Sequence, residues 1–285
     1  MNFIEAIVNP FDSSGAIVFI CTGISSIIKD GNYICLIASD ETFGKAQLEN
    51  EEAKEDFVGT WEQVAKIGYR GIEFAGYGGL KASALKNHLD SLGLKASGSN
   101  FAHQVLLDNL DEYIDYNLEI GSSYITLAYT KLTTKDEYLK LVQQCNMIGS
   151  KCKKRGLGFC YHNHAHEFNI YDGEYALDII FERTNPEFLE AVIDVYWVQY
   201  AGLDPIKYLK KWGNRTRVLH LKDMGADENR SYAELGKGIL DMNGIVQASI
   251  DIGAKWLVVE QDVCKSSPIE CVTTSYNYLK NLGIV

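Results

Sequence analysis

The chain has 285 residues, 46% of them hydrophobic and 23% charged, with a formal net charge of −11. These proportions suit a globular protein with a sizeable core. The acidic excess argues against nucleic acid as the main partner, because affinity for a phosphate backbone comes largely from Lys and Arg. Seven cysteines, at 21, 35, 145, 152, 160, 264 and 271, form no C-x-x-C pair and no close framework. They read as reduced, buried thiols in a cytoplasmic protein.

In chain order, "GAIVFICTGISSII" (15–28) is uncharged but too short to span a bilayer. Glu5 and Asp12 precede it without any Lys or Arg, so it lacks the basic region of a secretory signal. "SSIIKDGNYICLI" reads as two strands joined across Asp30-Gly31, a dipeptide that favours tight hairpin turns. Residues 1–32 are therefore expected to be an N-terminal extension carrying an extra β-hairpin, and no membrane partner is expected.

From residue 33 onward, short apolar runs alternate with segments of helical period. The runs are "YICLIA" (33–38), "GIEFAG" (71–76), "LKASGS" (94–99), "YITLAY" (124–129), "LGFCYH" (157–162), "EAVIDV" (190–195), "RVLHLK" (217–222) and "KWLVVEQ" (255–261). Many helical segments end on glycine just before the next run, at Gly68, Gly93, Gly121, Gly156, Gly213 and Gly253. Glycine tolerates the left-handed conformation that closes a helix. Strand–helix alternation predicts parallel strands with right-handed crossovers. Eight such units fit a (β/α)8 barrel, one domain over 1–285 with its barrel at 33–285. A doubly wound sheet would want a G-x-G-x-x-G loop, which "GYGGLKA" (76–82) lacks.

A barrel gathers its chemistry at the C-terminal ends of its strands. Those ends carry Glu73, His162 and His164, Asp194 and Trp197, His220, Lys222 and Asp223, and Glu260, Gln261 and Asp262. Charged residues inside apolar runs are costly to bury unless paired or bound to metal. Taken singly, each suits a loop cap or a hydrogen-bonded strand end. Four on consecutive strands at one end suit better a divalent-metal site made from His162, Asp194, His220 and Glu260. Manganese is the first expectation, with zinc, cobalt or magnesium as alternatives. His103, after the third run, is within reach of the mouth. His166 and Glu167 lie past the strand end, where solvation is as reasonable as function.

The stretches "FVGTWEQVAKIGYRGIEFAGYGG", "YHNHAHEF", "IDVYWVQYAGLDPIKYLKK", "VLHLKDM", "ELGKGILD" and "VVEQD" resemble the sugar phosphate isomerase/epimerase family of xylose isomerase-like barrels. The resemblance runs from about 33 to 282 and places that family's metal ligands at His162, Asp194, His220 and Glu260. It implies a small carbohydrate substrate and removal of the proton beside a metal-polarised carbonyl through an enediolate. Glu260 is the first choice of base, doubling as ligand, with Lys222 and His164 as alternatives. Glu73, His103 and Trp197 are expected to bind substrate. His162 stands where epimerase members usually carry Glu, and residues 1–30 are extra. Isomerisation or epimerisation is the first expectation. One-sided chemistry, as in a keto-sugar dehydratase or keto-glycoside lyase, is the alternative, and a non-catalytic sugar-binding barrel comes third. Phosphodiester cleavage, as in related apurinic endonucleases, is disfavoured because Trp197 replaces the His of an Asp-x-x-His pair. A homo-oligomer is compatible with the sequence.

Overall fold

The computed structural model describes residues 17–23, 33–38 and 51–285, with side chains from residue 59. Its frame is a closed barrel. The eight parallel strands are β2 (Tyr33–Ala38), β3 (Gly71–Ala75), β4 (Lys95–Ala102), β5 (Tyr124–Tyr129), β6 (Gly158–His162), β7 (Glu190–Asp194), β8 (Thr216–Leu221) and β9 (Trp256–Gln261). Each strand falls on one of the eight apolar runs, and their parallel pairing follows from the helices between them.

A ninth strand, β1 (Ile17–Gly23), runs antiparallel to β2 from Val18↔Ala38 to Gly23↔Tyr33. It also pairs antiparallel with β3, while β2 and β3 still meet at Leu36↔Ile72. The antiparallel partner of β2 is therefore the β-branched run at 17–23. The Asp30-Gly31 turn expected for this hairpin lies outside the described residues.

The outer layer comprises α1 (Glu51–Ile67), α2 (Ala82–Leu92), α3 (His103–Ile120), α4 (Lys135–Arg155), α5 (Ala176–Arg183), α6 (Val195–Tyr200), α7 (Pro205–Trp212), α8 (Met242–Asp251) and α9 (Pro268–Asn281). Thr134 and Ser267 close capping boxes with Glu137 and Glu270, which satisfies the first free N–H groups of α4 and α9. The basic run at the end of α4 sits on its last turn, where Lys151 and Arg155 pair with Asp111 and Asp115 of α3. Between strands and helices lies a dry layer that includes Trp61, Phe74, Ile125, Leu127, Tyr161 and Phe181, all fully buried. Among the described residues, no helix is long and apolar enough to cross a membrane. Cys145, Cys152, Cys160, Cys264 and Cys271 are free thiols.

One helix end departs from the expectation. Gly93, Gly121 and Gly156 adopt the left-handed conformation at their helix ends, but Gly213 has φ −57°. Its role is closeness: a Cβ there would fall 2.6 Å from Cγ2 of Ile252. Gly149 of α4 is similar, since a Cβ would run into the backbone carbonyl of Phe188. Gly149→Ala should therefore destabilise the fold by about 1–3 kcal/mol, measured by urea unfolding, despite alanine's better helix propensity.

Candidate metal centre

Side chains alternate along a strand, so the ends of β6, β7, β8 and β9 each offer one inward polar group. His220 lies level with Asp194 in the β8–β7 pairing, His162 lies level with Val192, and Val258 with His220. These two-residue steps are the stagger of a closed barrel, and they bring His162, Asp194, His220 and Glu260 onto one layer. One donor atom from each lies within 4.8 Å of the others.

Hydrogen bonds hold three of the four side chains, Asp194, His220 and Glu260. Asp194 Oδ1 caps α6, accepting the N–H groups of Tyr196 (2.8 Å) and Trp197 (3.2 Å). The Asn163 amide pairs with the Asp194 backbone, accepting its N–H at 3.1 Å, which locks the end of β6 to β7. His220 Nδ1 is 3.0 Å from Glu260 Oε2, and its Nε2 is 3.2 Å from Glu73 Oε1. Glu73 in turn accepts from Asn100 Nδ2 (2.6 Å) and Tyr124 Oη (2.7 Å). A carboxylate behind a ligating imidazole sets its tautomer and raises its basicity.

Lys222 Nζ is fully enclosed, 2.7 Å from Asp262 Oδ2, 3.0 Å from Glu260 Oε2 and 3.3 Å from Asp194 Oδ2. Burial would lower its pKa, yet the three carboxylates hold it well above the ordinary lysine range. Burial likewise pushes Asp194 and Glu260 up, and Lys222 with the neighbouring imidazoles brings both below the usual carboxylate range. Asp262 goes the other way, pushed up by burial to about 7. Burial disfavours charge on His220, but Glu73 and Glu260 on either side push it up to about 10.

The four donors fit a divalent cation. Asp194 Oδ2 and His162 Nε2 are buried, 3.5 Å apart, and neither completes a hydrogen bond. Two imidazoles and two carboxylates are an ordinary mixed set for a transition metal.

The other residues singled out in the sequence fall into two groups. His164 lies beside the cluster, its ring 4.8 Å from that of His162 and 5.5 Å from Trp197, with a buried Nδ1 that has no partner. Burial and then His162 push it down to about 3. Trp197 is buried with Tyr196 and Met224, with Tyr232 packed alongside, and Lys222 Nζ lies 5.4–5.8 Å from the ring centroids of Tyr232, Trp197 and Tyr196. Glu73 is completely buried beneath His220, so its carboxylate faces the ligand layer. His103 opens α3 and hydrogen-bonds Gln144 of α4, in the outer helical layer.

Two carboxylates matter more than their sequence context suggested. Glu167, in a single 3-10 turn at 166–168, is fully buried. Burial pushes it up, but His166 beside it outweighs that and holds it at about 2. Asp223, just past β8, accepts the N–H groups of Met224, Gly236, Gly238 and Leu240 at 2.8–3.1 Å. It pins the loop that carries Tyr232. Asp223 stands at the end of an apolar run, whereas no strand-end pattern reports Glu167; each acid sits next to a chain reversal.

A family model described as xylose isomerase-like TIM barrel matches residues 61–281. The chain belongs to this family. It is 25% identical over 264 residues to an inosose dehydratase of Mesomycoplasma hyopneumoniae, covering 77% of this chain and 86% of that one. A crystal structure of a sugar phosphate isomerase/epimerase from Parabacteroides distasonis superposes with TM-score 0.70 at 23% identity, covering 82% of this chain and 91% of that one. A crystal structure of the IolI protein with a bound zinc atom superposes with TM-score 0.64 at 16% identity, covering 83% and 95%.

Glu167 sets an acid limit for this corner of the barrel. Its pKa is depressed on folding, so its stabilising contribution is complete above the unfolded value near 4.5 and fades as pH falls toward 2. The stability gap between wild type and Glu167→Gln, measured by urea unfolding, should be flat above about pH 5 and narrow by about 1.4 kcal/mol per pH unit below 4.5.

Proposed function

We propose that this protein is a metal-dependent lyase that removes water from an unphosphorylated keto-polyol, with inosose, a ketone of inositol, as the first substrate to test. The observation that carries this reading is the pairing of one acid with one base around Trp197. The Trp197 ring centroid lies 5.5 Å from both the His164 ring and Lys222 Nζ. His164 Nδ1 has no protein partner, and Lys222 is an ammonium held by three carboxylates. Isomerisation by proton shuttling between two faces wants a matched pair of bases. Elimination wants one group to take a proton and another to give one.

His162, Asp194, His220 and Glu260 would hold the cation, with manganese preferred and zinc, cobalt or magnesium acceptable to the same donors. When bound it supplies Lewis acidity, making the C–H beside a ketone easier to deprotonate. His164 Nδ1 takes that proton. The electron pair left behind forms the C=C bond as the β C–O bond breaks. Lys222 Nζ gives its proton to the departing hydroxyl, so the products are water and an enone. Asp262, hydrogen-bonded to Lys222, lies on the route by which that proton is replaced.

This reading moves the base from Glu260 to His164. Glu260 is engaged by His220 and Lys222, each at 3.0 Å, whereas His164 Nδ1 has no partner in the protein and is open to a substrate proton. Trp197, Tyr196 and Tyr232 form an aromatic wall suited to the apolar face of a six-membered ring, which supports a cyclic polyol. The relative named inosose dehydratase supports the same reaction class.

The test is incubation of metal-loaded protein with inosose in deuterated water, followed by ultraviolet absorbance and NMR. Dehydration gives a conjugated enone; a stereoisomer or ketose–aldose exchange without water loss would overturn the reading in favour of isomerisation. His164→Gln should lower kcat by about 10²–10⁴-fold while metal binding by calorimetry persists. Lys222→Met should abolish turnover. Chelation should also abolish it, and added Mn²⁺ should restore it in the wild type but not in Asp194→Asn.

A further inference from the structure

Resting on that reading, we infer that Glu167 is the positioning residue that fixes the His164 imidazole beside the metal centre. His164 Nδ1 has no partner in the protein. The ring is bounded by the rings of His162 (4.8 Å), Trp197 (5.5 Å), Tyr129 (5.6 Å) and His166 (5.8 Å), none of which hydrogen-bonds it. Its place is therefore set by its backbone. The anchor of that backbone is a hydrogen bond from the His164 N–H to Glu167 Oε2, 2.8 Å long.

Glu167 is itself held from two further directions. Tyr161 Oη donates to Glu167 Oε1 at 2.8 Å, and Thr130 Oγ1 lies 3.1 Å from Tyr161 Oη. His166 Nε2 sits 3.0 Å from Glu167 Oε1, and the same ring hydrogen-bonds the backbone of Thr130. The carboxylate thus accepts two hydrogen bonds, one from strand β6 and one from the loop after it, and lies in ion-pair range of a ring that bridges to the end of β5. Tyr161 and His162 are adjacent and point to opposite faces of β6. One strand therefore supplies a ligand inward and, outward, a brace for the next loop. His162 is held by strand pairing and by its neighbours in the cluster. His164, beyond the last β6 pairing, depends on Glu167. The structure separates the two histidines in this way: the ligand belongs to the barrel, and the base belongs to the brace.

Glu167→Gln puts an N–H where Tyr161 Oη or the His164 N–H expects an oxygen, at nearly constant volume. The measurements are imidazole 15N-edited NMR of the zinc-loaded protein, cobalt(II) affinity by calorimetry with the cobalt d–d spectrum, and kcat and KM on inosose. Glu167→Gln should split or broaden the His164 ring signals, leave those of His220 in place, and leave cobalt affinity and spectrum unchanged. Turnover should fall about 10²-fold in kcat with KM little altered. Tyr161→Phe removes one donor and keeps the carboxylate; it should give the same pattern in weaker form, and it decides the matter if Glu167→Gln does not fold. Unchanged His164 signals in both variants would overturn the inference. So would loss of cobalt binding in step with turnover, since Glu167 would then support the whole strand end. The NMR and cobalt measurements need no substrate. A wild-type protein that leaves inosose intact removes the dehydratase reading, while these spectra still decide whether Glu167 places His164.

Discussion

Lys222 Nζ lies within 3.3 Å of Asp194, Glu260 and Asp262, and its charge makes their shared burial tolerable. Three carboxylates in so small a volume repel one another strongly in a poorly screened interior. The ammonium also lies over the rings of Tyr196, Trp197 and Tyr232, whose faces favour a cation. Losing one partner of a buried charged set usually costs about 3–5 kcal/mol, because the charges left behind stay buried. The same arrangement prepares the site for chemistry. Lys222 is kept protonated, and Asp194 and Glu260 are kept ionised.

The barrel makes this concentration of charge possible. Eight parallel strands present the same polarity at one end, and their stagger brings side chains of different registers to a common height. Below the ligands, Glu73, Asn100 and Tyr124 form a polar layer whose hydrogen bonds lead up to His220. Stability and reactivity thus share parts: the Tyr124 hydroxyl that helps to satisfy the Glu73 carboxylate also helps to hold a ligand imidazole. Outside the barrel, the aromatic and aliphatic layer between strands and helices forms one apolar core from Trp61 to Ile284.

The four-residue cluster was legible because each member is a polar residue ending an apolar run, and a parallel barrel gives such ends a common destination. His162, Asp194, His220 and Glu260 meet on the layer that their spacing implied. Glu167 was not legible, because its burial depends on a single turn folding the chain back under Tyr161, and nothing in a linear pattern marks that return. His103 follows an apolar run just as the ligands do, but α3 begins at that residue and carries its side chain toward Gln144. Gly213 shows a different limit. Glycine at a helix end reports both left-handed backbone and close packing, and only the position of Ile252 shows which applies.

Asp223 ties four backbone N–H groups between residues 224 and 240 to one carboxylate. That knot fixes the path of the loop after β8 as well as its contacts. An added or deleted residue between Gly236 and Leu240 would pull at least one donor out of register and loosen the approach of Tyr232 to Lys222. The loop is thus constrained in length while its exposed side chains, Ile239 and Lys237 among them, remain free to vary. Related chains that share this knot would vary the loop by exchanging side chains on a constant span, without changing its length.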